Sequence, residues 1–181
     1  LALASITSGS YWPELLPQRV AAAREALSIA EDRSLSLPLV DWFPYFLADL
    51  LAVGDGPGFC RLIERGQRLA EQTRSPYLLT LCRHAEALLA INEGRFADAE
   101  AWAAQALESG RQLAEDQAAT AFGMQMFCLR REQGRLREAL PFLQHFVRTT
   151  PSAHVWQPGL ALLYAELDMR EKALATTAKD G

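Results

Sequence analysis

The sequence predicts an all-α fold: an α-α superhelix, or solenoid, of antiparallel helix pairs repeating about every 40 residues. Three observations predict it. The stretch Gly94-Arg95-Phe96-Ala97-Asp98-Ala99-Glu100-Ala101-Trp102 recurs 40 residues later as Gly134-Arg135-Leu136-Arg137-Glu138-Ala139-Leu140-Pro141-Phe142, and Gly54 stands 40 residues upstream. Self-similarity at such a period marks a helical array. Apolar residues recur at helical spacing, as in Leu78, Leu79, Leu81, Cys82, Ala85, Leu88 and Leu89, and no segment alternates like a strand. A glycine closes each copy's first helix, where φ > 0 carries no Cβ penalty.

Taken in order, residues 11–32 read as a first helix with Leu15, Leu16, Val20, Ala23, Ala26, Leu27 and Ala30 on one face. Ala26-Leu27 lies two periods before Ala106-Leu107, which suggests the second helix of a truncated repeat. Residues 36–53 form a strongly apolar helix interrupted by Pro44. That proline either kinks the helix or marks its first turn, with Asp41 then the N-cap. Gly54-Asp55-Gly56-Pro57-Gly58 is a turn, and helix 58–73 follows with Phe59, Leu62, Ile63, Leu69 and Ala70 inward. Ser75-Pro76 opens helix 75–93, Ser as N-cap and Pro at the first helical position.

Helix 96–113 carries Ala99, Ala103 and Ala106 where helices approach closely, with Trp102 and Leu107 filling the space beside them. Helix 115–133 turns Ala118, Phe122, Met126 and Leu129 inward. Helix 136–149 accommodates Pro141 near its start. Ser152 caps a helix reaching Leu167, bent or delayed by Pro158, and a last helix starts at Arg170. One helix pair cannot bury its apolar face alone, so the array forms a single domain over residues 1–181. The chain opens at Leu1 and is expected to be a piece of a longer protein.

Composition narrows the function. Half the residues are apolar and 22% are charged, ordinary for a globular domain. A net charge of −4 and a pI near 5.4 give no basic footprint for nucleic acid. No apolar run approaches 18 residues, so no membrane span is expected. Cys60, Cys82 and Cys128 are far apart and embedded in apolar helical runs; they read as reduced core thiols of a cytoplasmic protein.

No catalytic constellation emerges, and the chain reads as a non-enzyme with no cofactor and no metal. His84, His145 and His154 belong to no metal-ligand spacing. Cys82 and His84 are two apart and point away from each other on a helix. The carboxylates Glu108, Glu115, Asp116 and Glu132 lie at helix ends, where capping or solvation suffices. The glycine-rich turn at 54–58 lacks the Lys-Ser/Thr of a phosphate loop. Arg130, Arg131, Arg135 and Arg137 form the one basic cluster, suited either to phosphate or an acidic partner segment or, more simply, to the dipole of a helix C-terminus. Trp42, Phe43, Tyr45 and Phe46 are concentrated enough to anchor a groove, with core packing as the default reading.

The turn glycine, the aromatic two residues on and the later alanines (Gly94, Phe96, Ala99 and Ala106) resemble the tetratricopeptide (TPR) repeat. Gly134, Leu136 and Ala139 match in the next copy, with Phe146 replacing the late alanine, and Pro151 falls at the repeat's closing proline. Leu167-Asp168-Met169-Arg170-Glu171-Lys172-Ala173 is a partial copy with Asp168 in the glycine's place. Asp tolerates the left-handed conformation better than most residues. A spacing of 40, where the standard repeat has 34, implies longer helices. On the TPR pattern the concave face carries Asp41, His84, Leu88, Asn92, Met124, Cys128, Arg131 and Glu166.

Three further phrases, Arg19–Ala30, Gln125–Leu136 and Trp156–Leu167, resemble the helical-repeat arms of large bacterial signalling ATPases, the LuxR/MalT-type transcriptional regulators and AAA-ATPase adenylate cyclases. The resemblance implies a sensor or scaffold arm and transfers no functional residue. The chain is expected to be non-catalytic and to bind a protein or peptide segment, or a small effector, through the concave positions Asp41, His84, Asn92, Met124 and Arg131. Self-association through the truncated repeat ends is a further expectation. The alternative is a free-standing adaptor that binds peptide tails.

Overall fold

The computed structural model describes residues 13–32, 37–113, 115–149 and 157–177. All its regular structure is helical. A 3-10 turn at Pro13–Leu15 leads into α1 (Leu16–Asp32), followed by α2 (Leu37–Ala52), α3 (Gly56–Thr73), α4 (Pro76–Asn92), α5 (Phe96–Arg111) and α6 (Glu115–Glu132). A second 3-10 turn, Leu136–Ala139, precedes α7 (Leu140–Thr149), α8 (Gln157–Glu166) and α9 (Arg170–Thr177). Each helix packs on the next in the chain, and α2–α4 and α4–α6 also touch, so the first helices of successive pairs lie side by side.

The pairs close by one repeated device. Gly54, Gly94 and Gly134 have φ of 73°, 72° and 68°, and Asp168 takes the same role at 58°. At each, the following N–H reaches back five residues to a helix carbonyl. These bonds are Asp55 to Leu50 at 2.8 Å, Arg95 to Ala90 at 2.9 Å, Arg135 to Arg130 at 2.7 Å and Met169 to Tyr164 at 2.8 Å. That is the Schellman closure, which satisfies carbonyls left orphaned at a helix end. The aspartate's small polar side chain makes the left-handed conformation tolerable where the period shortens from 40 to 34.

Side-chain caps set the starts of α3 and α4. Ser75 Oγ accepts from Leu78 N–H at 3.2 Å, with Pro76 at the first helical position. Asp55 caps α3 in the same way, accepting from Gly58 N–H at 2.9 Å, so this helix begins two residues before the expected 58. In α2 the first-turn alternative for Pro44 gives way: the helix starts at Leu37, Pro44 lies in its interior, and Asp41 is a helical residue and not its N-cap. Pro141 lacks an N–H and its ring crowds the carbonyl four residues back. The turn from Leu136 is accordingly 3-10, and α-helix begins only at Leu140. Ser152 and Pro151 lie outside the described residues; Pro158 is in the first turn of α8 as described.

Three apolar clusters follow one another along the array, as nearest-neighbour packing requires. Phe43, Phe59, Leu78 and Cys82 centre the first, between α1 and α4; Ala90, Ala99 and Leu129 the second; Leu136, Leu143, Leu163 and Tyr164 the third. Phe59, Leu78 and Leu163 are fully buried, each stabilising by roughly 1.5–3 kcal/mol relative to exposure. Ala99, Ala103 and Ala106 are fully buried where α5 approaches its neighbours. Gly66 allows a close crossing: a Cβ there would lie 2.6 Å from the Phe43 ring and 2.8 Å from Cys82 Sγ.

Candidate functional site

The side-by-side first helices enclose an apolar groove of about 330 Å³. Its walls are Phe43, Pro44, Leu47 and Ala48 of α2; Leu81, His84, Leu88 and Ile91 of α4; and Ala121, Met124, Gln125 and Cys128 of α6, with Phe59 of α3 at the base. The 40-residue period runs across it in rows: Pro44, His84 and Met124 form one, Ala48, Leu88 and Cys128 another, Leu81 and Ala121 a third. Leu88 and Met124 are large apolar side chains exposed along it, Met124 by half.

The polar feature of the groove is a reciprocal pair between α4 and α6. Gln125 Nε2 donates to the His84 backbone carbonyl at 2.9 Å, which leaves its Oε1 to accept from His84 Nδ1–H at 3.0 Å. Nδ1 thereby carries a hydrogen, so the neutral ring is the Nδ1–H tautomer. Burial pushes the His84 pKa down, and the Gln125 bond opposes that only in part. The same apolar surroundings raise the Cys128 thiol, with Arg131 pulling the other way. Cys82, deep in the core, is pushed up to about 12 by burial and by Glu86. Of the three expected core thiols, Cys82 is buried and Cys60 half-buried, while Cys128 is exposed on the groove. The reading of Cys128 as a core residue is corrected: its neighbours on α2 and α4 stand across open space.

The sequence-derived concave positions divide. His84, Leu88, Met124 and Cys128 meet in the groove. Asp41 lies in α2 one period before Leu81, but its side chain is outside the described residues. Asn92, at the end of α4, is exposed and donates to its own helix at Leu88 O, 2.8 Å. Arg131 and Glu166 come together as an ion pair away from the groove wall, Nη2–Oε1 2.7 Å and Nε–Oε2 3.1 Å.

Arg130 and Arg135 of the basic cluster are also engaged. Arg130 holds Glu100 at 2.7 Å and Gln133 at 2.7 Å, and Arg135 holds Glu138 at 2.8 Å. These guanidinium bonds keep the Glu100 and Glu138 carboxyls below the usual range. Of the aromatic run, Tyr45 is exposed, Phe43 and Phe46 are core residues, and the Trp42 side chain lies outside the described residues.

Sequence reasoning missed Gln125 and Leu47 as groove residues, and Phe43 of the aromatic run both lines the groove and is buried. The row of His84 pointed to Met124, and the actual bonding partner stands one residue further along α6. Among the described residues no three His, Cys, Asp or Glu side chains gather to hold a metal ion, and no helix is long and apolar enough to cross a membrane. No family model, curated protein or solved structure matches the chain.

Proposed function

We propose that this chain is a non-catalytic helical-repeat interaction domain that takes an apolar segment of a protein partner, or a small effector, into the groove between α2, α4 and α6. The observation that carries the reading is that groove: an open trough of about 330 Å³ whose wall is aliphatic and aromatic except for one self-satisfied His84–Gln125 pair. Concave, mostly apolar sites with few placed polar groups are where ligands bind, and repeat arrays present such surfaces. With the TPR-like sequence pattern, this supports the sensor or scaffold arm of a bacterial transcriptional regulator or signalling ATPase. It supports the free-standing adaptor less, because Asn92 and Arg131, the candidates for clamping a peptide carboxylate, are bonded within the chain.

The test is a fluorescence-anisotropy screen of labelled amphipathic peptides, paired with a thermal-shift screen of metabolites and sugars. A hit should bind Leu88→Glu and Met124→Glu at least about tenfold more weakly, since a buried unpaired charge costs well over 1.4 kcal/mol. Unchanged binding in both variants would move the site off this groove. Calorimetry on His84→Ala and Arg131→Ala then separates the groove from the Arg131–Glu166 rim.

A further inference from the structure

The groove between α2, α4 and α6 holds one side-chain acceptor that the fold leaves open. Gln125 Nε2 donates to the His84 carbonyl at 2.9 Å, and this bond fixes which end of the amide faces the ring. The amide oxygen, Oε1, therefore accepts from Nδ1–H of His84 at 3.0 Å. A neutral imidazole carries a single N–H, so Nε2 is left with a lone pair. Among the described residues Nε2 has no partner. No side-chain nitrogen or oxygen among them is at once buried and unpartnered, so Nε2 is reached by solvent, and the space that His84 lines is the groove. Leu81 and Leu88 stand one turn either side of His84 on α4, and Met124 occupies the same row on α6. The described lining carries no charged side chain.

Resting on the groove as the binding site, we propose that its occupant is a small neutral molecule with a hydrocarbon body and one hydroxyl, whose O–H donates to His84 Nε2. The hydroxyl gives the donor that this lone pair lacks. A ketone or ether would set lone pair against lone pair. A plain hydrocarbon would strip Nε2 of water and leave it unpaired, which costs more than a neutral hydrogen bond gains. A carboxylate or ammonium would lose its hydration against a wall with no described counter-charge. An extended peptide would bring a row of backbone N–H and C=O groups that aliphatic side chains cannot pair. The volume of about 330 Å³ stands at the lower end of small-molecule sites, which run from ~300 to ~1,000 Å³, so a compact body fills it. Asp41 lies one period before Leu81, with its side chain outside the described residues, so a cationic probe puts the ligand's neutrality to a direct test.

Four probes that share one body and differ in one group test this: phenylcyclohexanol, phenylcyclohexanone, the phenylcyclohexylammonium ion and phenylcyclohexanecarboxylate, each substituted opposite the phenyl. Binding near neutral pH is read by NMR titration of the protein's methyl signals. The alcohol should bind one per chain and shift the Leu88 and Met124 methyls. It should bind about fivefold more tightly than the ketone, the gain of one neutral hydrogen bond. Both ions should bind about tenfold or more weakly than the alcohol. His84→Phe keeps a ring without an acceptor: the alcohol should fall to the ketone's affinity while the ketone stays as it was. Circular dichroism checks the fold of that variant, and the alcohol–ketone comparison in the wild type needs no variant. Equal binding of alcohol and ketone, both lost in Leu88→Glu and Met124→Glu, would overturn the hydroxyl assignment and leave the groove reading standing. Tighter binding of either ion would overturn the neutral class, the ammonium by placing Asp41 against the groove. Silence from all four probes would overturn the small-molecule occupant, and the peptide screen then decides the groove by itself. Alcohol binding unmoved by Leu88→Glu and Met124→Glu would overturn both.

Discussion

Arg19 of α1 and Asp49 of α2 form a forked ion pair, Nη2–Oδ1 2.8 Å and Nε–Oδ2 3.1 Å, with side chains only 7% and 5% exposed. This pair ties the first helix to the array thirty residues on. Burying two charges is costly in desolvation, and the geometry must offset it. Removing one partner therefore strands the other. Asp49→Ala is expected to destabilise by about 3–5 kcal/mol, whereas Arg19→Met combined with Asp49→Leu should recover most of the loss. Urea denaturation of the three proteins checks this; equal midpoints for wild type and Asp49→Ala would exclude an energetic role for the pair.

Small residues mark the close helix crossings. Ala99 is fully buried and Ala139 is 8% exposed, so Ala→Leu at either should overpack and cost about 1–3 kcal/mol. Gly66→Ala is the sharper test because two effects oppose. Alanine gains roughly 1 kcal/mol of helix propensity, but its Cβ would sit 2.6 Å from the Phe43 ring inside the core. The clash should win, giving net loss of stability. At Gly94 a Cβ meets open space, and the cost of alanine there is the left-handed φ of 72°, roughly 1–2 kcal/mol. A Gly66→Ala variant with a raised melting temperature would show that α2 and α3 separate easily.

The closures at Gly54, Gly94 and Gly134 were legible in the sequence because glycine at a fixed period has one mechanical use, and Asp168 because few other residues accept φ near 58°. The groove rows were legible for the same reason: residues 40 apart occupy equivalent places on stacked helices. Asn92 and Arg131 followed the period but not the groove. Both sit in a last helical turn, where an asparagine bonds its own helix and an arginine finds Glu166 on α8. The Arg19–Asp49 pair left no sequence signal, since neither the spacing nor the residue types distinguish it from surface charge.

Acidification should act through His84. Its folded pKa lies below the ordinary value because burial disfavours the imidazolium, so below about pH 6.5 the unfolded chain takes up protons that the native state refuses. His84 thus costs the fold nothing above that pH, and stability declines as pH falls from there towards the depressed folded value. The decline has a structural expression: protonation at Nε2 would place a charge beside Leu81, Leu88 and Met124, loosening the α4–α6 seam that Gln125 bridges. Chemical denaturation between pH 7.5 and 5 should show a falling midpoint in the wild type and a smaller fall in His84→Gln, whose amide does not titrate. Equal slopes would exclude His84 as the source, and Glu100 and Glu138 cannot stand in for it, because their depressed pKa values place their own loss of stability below about pH 4.5.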